Sequence, residues 1–512
     1  MKAYILKRKK IFILYIILLI AVIVLSGFLL RDKPYFSYKA LTQQISYLRY
    51  KFALGDILNN QDSNSNNASA IPVLLYHGIT EIPGRFNITE DQFLEQMSTL
   101  RKAGYKTITM NDLYLFLNNK KNLPEKSFLL TFDDARLDSF LGGDPVLKLL
   151  DYNAVMFTPT ESTLSRANNG TGYYLNTSLL KTMIKSGRWE LGSHAVQQTG
   201  GFIPISKSGI KANFLSNKMW ISDEEGVESD EEYDNRVKTE LGQSKNLLEK
   251  TFNVSINSFA YPFSDYGQQS VNNGGNAIDT ILKYVKENYA MAFKQVSLSD
   301  DQYTFNYPNN NMYYLHRIEP ENNWDGAKLL NVLEATKPKT LPYNNMFGKL
   351  NIWKRIWGNI IQEDSSLILT TTLEKSGSGA FLDGTYGWTN YNFQTKIKGD
   401  AVDSVTVYSR YKDEEDNLSC TFTNAYIKIS EKINGISSVL KQIEYHNKIA
   451  FNNNTLGMSV DDKMISCYQN GKELIQMNHS NKIKNGGIGL SIWDSVLKER
   501  SITFSEMSVQ EK

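Results

Sequence analysis

Two adjacent carboxylates, Asp133 and Asp134, close the apolar run Leu129-Leu130-Thr131-Phe132. Ending an apolar strand on a pair of acids is costly unless a cation or a proton-transfer task uses them. Successive strand residues point to opposite sides, so the two can divide the work. One can hold a divalent metal ion while its neighbour takes a proton from an attacking water. Asp-Asp is also a common turn pair after a strand, so the neighbours must decide. Three histidines stand in strand-like runs: His77 in IPVLLYH, His194 in WELGSH and His316 in YYLHRIEP. A histidine at a strand end is commonly a hydrogen-bonded structural residue, and again context decides.

The elements that must position these groups alternate from Ile71 to about Lys337. IPVLLYH, YKTIT, SFLLTF, AVMFT, WELGSH and SFAYPF read as strands. Helical spacing appears over Phe93–Ala103, Pro145–Asp151, Ser178–Ser186, Glu232–Thr251 and Ala277–Asn288. Strand-helix alternation predicts an α/β domain, a distorted (β/α) barrel over residues 71–340, and in such barrels catalytic groups gather at the C-terminal strand ends. After about Tyr343 the pattern becomes short β segments separated by turn residues, predicting an all-β sandwich over 343–512.

Upstream, residues 11–30 (IFILYIILLIAVIVLSGFLL) carry no charge and follow five basic residues within the first ten. Twenty helical residues span roughly 30 Å, the thickness of a bilayer core. The expectation is a transmembrane helix at 11–30 with residues 1–10 cytoplasmic and the rest outside. The run is longer than a signal-peptide core and lacks a small-residue cleavage site. Residues 31–70 would be a helical stalk and the polar linker NNQDSNSNNASA.

The 56 basic and 54 acidic residues are interspersed, which excludes a nucleic-acid binder. The two cysteines, Cys420 and Cys467, exclude a disulfide scaffold; one bridge or two buried thiols both remain open.

The segments IPVLLYHGI, LLTFDDA, IKSGRWELGSHAVQQT and SFAYPFSDYG, in this order, resemble the carbohydrate esterase family 4 polysaccharide deacetylases, or NodB-homology domains. The run DEEYDNRVKTELGQSKNLLEK before FAYPF is most similar to the poly-N-acetylglucosamine deacetylases of biofilm matrices. The resemblance implies Asp133 as general base, and Asp134 and His194 as ligands of a divalent ion, zinc by preference. It implies His77 as the acid that protonates the leaving amine, with His316 as the second candidate. Backbone around Tyr261 and Pro262 would hold the oxyanion. The family's second metal histidine is missing: those places hold Gln198 and Thr199. A glutamine oxygen is a weaker zinc ligand than imidazole. Ala135 stands where the family often has glycine. The closing stretch GGIGLSIWDSVLKERSITFSEMSVQ resembles laminin-G or concanavalin-like modules, which implies glycan binding, with Trp388, Tyr391, Tyr408 and Tyr411 as stacking or core residues.

The reading is an extracellular, membrane-anchored N-deacetylase of an N-acetylated matrix or wall polysaccharide, beside a synthesis or export machinery. The alternative is a catalytically impaired glycan-binding scaffold of such a system, and the replaced histidine is what separates the two.

Overall fold

The computed structural model describes residues 43–51, 66–165, 172–197, 200–269, 271–296, 302–309, 311–347, 352–445 and 452–512. The expected membrane span at 11–30 lies outside them. No helix among the described residues is long and apolar enough to cross a membrane.

Eight parallel strands build the first domain: β1 (Val73–Tyr76), β2 (Lys106–Thr107), β3 (Ser127–Phe132), β4 (Ala154–Thr158), β5 (Trp189–Ser193), β6 (Ser258–Ala260), β7 (Met291–Val296) and β8 (Leu315–Ile318). Their order is β1-β8-β7-β6-β5-β4-β3-β2. β1 pairs with both β8 and β3, which closes seven strands into a barrel and leaves β2 as an outer addition. β1, β3 and β4 are buried along their whole length, as barrel strands covered by helices must be.

Local signals start the helices. Thr89 and Gln92 form a reciprocal cap at α1 (Glu90–Lys102), and Ser229 and Glu232 do the same at α3 (Asp230–Phe252). Asn253, in the left-handed conformation, stops α3. The helix expected at Pro145–Asp151 instead runs over Leu137–Leu150 (α2), with Pro145 inside it. Tight packing accounts for the difference. A Cβ at Gly142 would sit 2.5 Å from Ile79 Cγ2, so the Gly-Gly pair brings the helix close against the barrel wall. Burial there outweighs the poor helical propensity of glycine and proline.

Part of the expected stalk is docked instead of free. Residues 43–51 are helical, Tyr50 is fully buried and donates to Glu90 at 2.7 Å, and Arg49 pairs with Asp91 at 2.6 Å.

The second domain is a sandwich of two seven-stranded antiparallel sheets. Backbone bonds tie Lys339 to Gly384 and Tyr343 to Val509 of this domain. Cys420 and Cys467 form a disulfide between the sheets, which settles the alternative left open by the sequence. Trp388, Tyr391 and Tyr411 are buried, and Tyr408 is partly so. Their rings pack in the interior or against the barrel.

Candidate active site

Of the candidates among the described residues, all but His316 stand at C-terminal strand ends of the barrel. His77 follows β1, Asp133 and Asp134 follow β3, His194 follows β5 and Tyr261 follows β6. Asp133 begins the turn, its N–H still donating to Tyr76 O at 3.1 Å. Asp134 and Ala135 then take φ of +68° and +48°. Left-handed backbone is where glycine is free of strain, which explains the family's frequent glycine at the Ala135 position.

Asp133 is buried and held by two parallel bonds from Arg317, at 2.6 and 2.7 Å. Burial alone would raise its pKa. The Arg317 guanidinium, with His194 and His77 behind it, outweighs that and holds the carboxyl below its ordinary value. Asp133 is therefore ionised and fixed in orientation.

Asp134 is partly exposed, and its Oδ1 faces His194 Nε2 at 3.5 Å. Against burial, the His194 contact and the positive potential of His77 hold Asp134 low as well. His194 Nδ1 lies 2.8 Å from the Ala260 carbonyl, an acceptor, so Nδ1 carries the proton. Nε2 is then the ring atom turned toward the carboxylate oxygen. Two electron-pair donors facing each other need a proton or a cation between them. Ligand distances of about 2.0–2.2 Å in a tetrahedral site would separate two donors by roughly 3.4 Å. The pair therefore fits a divalent ion, with the Ala260 contact orienting the imidazole as metal-bound histidines usually require. Gln198 lies outside the described residues, and among those described no group of three acidic, histidine or cysteine side chains is placed to hold a metal.

His77 Nδ1 meets Glu319 Oε1 at 2.6 Å, and Gln295 bonds the other Glu319 oxygen. Ser139 donates to the His77 carbonyl and fixes the backbone. Burial opposes charging of His77. The Glu319 bond together with the charges of Asp133, Glu319 and Asp134 outweighs it, and the pKa rises above 6.5.

His316 is not brought to this site. It alternates with Arg317 on β8, so when Arg317 enters the barrel the histidine faces outward. There it donates from Nδ1 to the Tyr303 carbonyl at 2.5 Å. Burial, then the nearby Lys294 and Lys354 cations, push its pKa down to about 3. A histidine so placed is a neutral structural residue under the domain seam.

The Tyr261 N–H is committed to Phe293 O at 3.0 Å, within the sheet. An oxyanion donor at this strand end must therefore come from elsewhere in the turn. Pro262 has no N–H to give.

The sequence reading missed Arg317, Glu319, Gln295 and Glu240. Glu240, buried on α3, accepts from Val196 N at 3.0 Å and Gln197 N at 2.9 Å and so holds the loop that leaves His194. An arginine alternating with apolar residues in LHRI was the one available signal.

Residues 120–277 match the family model described as polysaccharide deacetylase. YxkH of Bacillus subtilis, assigned to the polysaccharide deacetylases, is 23% identical over 269 residues, covering 52% of this chain and 77% of its own. The poly-β-1,6-N-acetyl-D-glucosamine N-deacetylase of Escherichia coli K12 is 23% identical over 180 residues. That match covers 33% of this chain and only 27% of the relative's length. Among solved structures, a de-N-acetylase from Aggregatibacter actinomycetemcomitans aligns at TM-score 0.42 and 18% identity, covering 51% of this chain and 98% of that one. Within the barrel, residues 120–277 are thus similar to the polysaccharide deacetylases, hydrolases that act on acetamido sugars.

Proposed function

We propose that the protein removes N-acetyl groups from an extracellular polysaccharide of N-acetylated hexosamine, with the polymer as its substrate. The observation that carries this reading is the arrangement of Asp133, Asp134, His194 and His77 around one strand-end rim, Asp133 and His77 set for proton transfer and Asp134 with His194 for an ion. Asp134 and His194 would hold the divalent ion, with Gln198 or water completing the set. When bound, such an ion polarises the acetamide carbonyl and acidifies water.

The chain's own groups do the rest. Asp133, ionised and locked by Arg317, accepts the proton of the water that attacks the carbonyl. His77, kept protonated by Glu319, delivers a proton to the departing amine, so that acetate and a free amino sugar result. Ser264 and Asp265 already donate their N–H groups to Tyr261 O and Pro262 O, so the Phe263 N–H is the donor of this turn that would support the oxyanion. With no second histidine, the ion would be held less tightly, and chelators should strip it readily.

The uncharged run at 11–30 supports a single membrane pass with both domains outside. The second reading, a glycan-binding scaffold without turnover, draws on Gln198 and Thr199 replacing the family's second histidine. Acetate release from N-acetylglucosamine polymers, with and without chelator, tests the choice. Chelator-sensitive release supports the enzyme; no release with metal added supports the scaffold.

A further inference from the structure

The second sheet of the sandwich has an outer face that the barrel does not cover, and a cleft of about 400 Å³ is cut into it. It runs across three neighbouring strands, Arg500–Glu511, Tyr391–Gly399 and Asn452–Val460, to a fourth, Met464–Gln469. Strand register builds it. Phe393, Met458 and Val509 point into the core, so Asn392, Gln394, Gly457, Ser508 and Gln510 fall on the outer face. Ser508, Gln394, Gly457 and Tyr468 lie in one cross-strand row.

Gly457 makes the notch. A Cβ there would stand 3.0 Å from Phe393 O and 3.4 Å from Tyr468 Cβ, so even a methyl begins to fill the floor. A glycine inside a strand costs stability and marks close approach of another group. Beside it the side-chain amides of Asn392 and Gln394 are exposed and make no hydrogen bond among the described residues. In the neighbouring row Ser459, opposite Asn392, holds a buried hydroxyl that finds no hydrogen-bond partner among the described residues.

Among the described residues none lining the cleft is charged, and at its edge the Tyr468 hydroxyl donates to Glu473 at 3.1 Å. Amides and hydroxyls both donate and accept, as sugar hydroxyls and acetamido groups do, and Tyr468 adds an aromatic wall. Phosphates and nucleic acids would find no cation in this lining. The volume lies within the range of small-ligand sites, roughly 300–1,000 Å³.

We propose that this cleft binds a segment of neutral polysaccharide, specifically the still N-acetylated form of the polymer that the barrel deacetylates. The choice of polymer rests on the function proposed above. The Asn392 and Gln394 amides can pair with acetamido groups, and a stretch that has lost its acetyl groups no longer offers those partners. The sandwich would thus keep the enzyme on untreated polymer.

The test is retention of the full chain on immobilised poly-N-acetylglucosamine and on its de-N-acetylated form, comparing wild type, Gly457→Phe and the double variant Asn392→Ala/Gln394→Ala. The double variant changes only exposed side chains and guards against misfolding of the first. Both should weaken retention on the acetylated polymer roughly ten-fold, the size of one or two lost hydrogen bonds. Acetate release from a short soluble oligomer should stay at the wild-type rate. Retention unchanged in the double variant, or equal retention on the de-N-acetylated polymer, would overturn the proposal. A wild type that releases no acetate but shows the retention difference would sink the catalytic reading and leave the cleft standing.

Discussion

At the scale of single residues, the chemistry depends on two buried or half-buried ion pairs that span the whole domain. Arg317 neutralises Asp133, and replacing it with methionine leaves a carboxylate buried without its partner. Such a loss costs about 3–5 kcal/mol, and denaturant unfolding should show it; a change under about 1 kcal/mol would mean that Asp133 finds another partner. His77 depends on Glu319 in a different way. The pair raises the His77 pKa, so the protonated acid persists to higher pH than a free histidine would allow. Glu319→Gln should therefore move the basic limb of the kcat/KM profile to lower pH while activity below that limb is largely kept. An unmoved limb would remove His77 from the acid role. Asp133, Asp134, His194 and His77 were legible because short motifs surround them. Arg317 and Glu319 were not, because their partners lie 184 and 242 residues away and only barrel closure brings them together. His316 misled for the converse reason. One step along a strand reverses the face, and the sequence alone does not say which of His316 and Arg317 looks inward.

At the scale of elements, the site is aimed by what lies behind it. Glu240 on α3 takes two backbone N–H groups of the loop after His194, where Ala195 and Gln197 have φ of +62° and +60°. Glu240→Ala removes the single Oε2 that accepts from both N–H groups and should cost about 1–3 kcal/mol in stability. It should lower metal occupancy as well as acetate release, because His194 loses its support. Normal metal content with normal turnover would show that the loop holds its shape unaided. The strand-helix alternation of the barrel was readable from apolar runs and caps such as Thr89 and Ser229. The true start of α2 was not. Pro145 looked like a helix start, and the reason the helix extends back to Leu137 is a contact of Gly142 with Ile79 that no local pattern encodes.

At the scale of the molecule, the two domains share a buried seam. Asp383 is fully buried and accepts from Thr304, while Tyr303 donates to Tyr411 O and packs on Phe381. The sandwich has its own core and its own staple, the Cys420–Cys467 bridge closing a loop of 47 residues. Loop-closure entropy for that length gives about 4 kcal/mol, so Cys420→Ser/Cys467→Ser should lower stability by that order while the barrel's acetate release persists. Loss of both together would show the seam coupling the two domains. The division into α/β and all-β parts was plain from the change of pattern near Tyr343. The seam was not, since Tyr303, Phe381 and Tyr411 read as ordinary strand and loop aromatics. The central claim is that the rim at the end of β3 hydrolyses N-acetyl groups with Asp133 as proton acceptor. It is tested most directly by the rate of acetate release from an N-acetylglucosamine polymer, measured for wild type and for Asp133→Asn at matched metal content. The account predicts release by the wild type and a loss of roughly 10²–10⁴-fold in the variant, the usual worth of general base catalysis. Equal rates, or no release from the metal-loaded wild type, would contradict it.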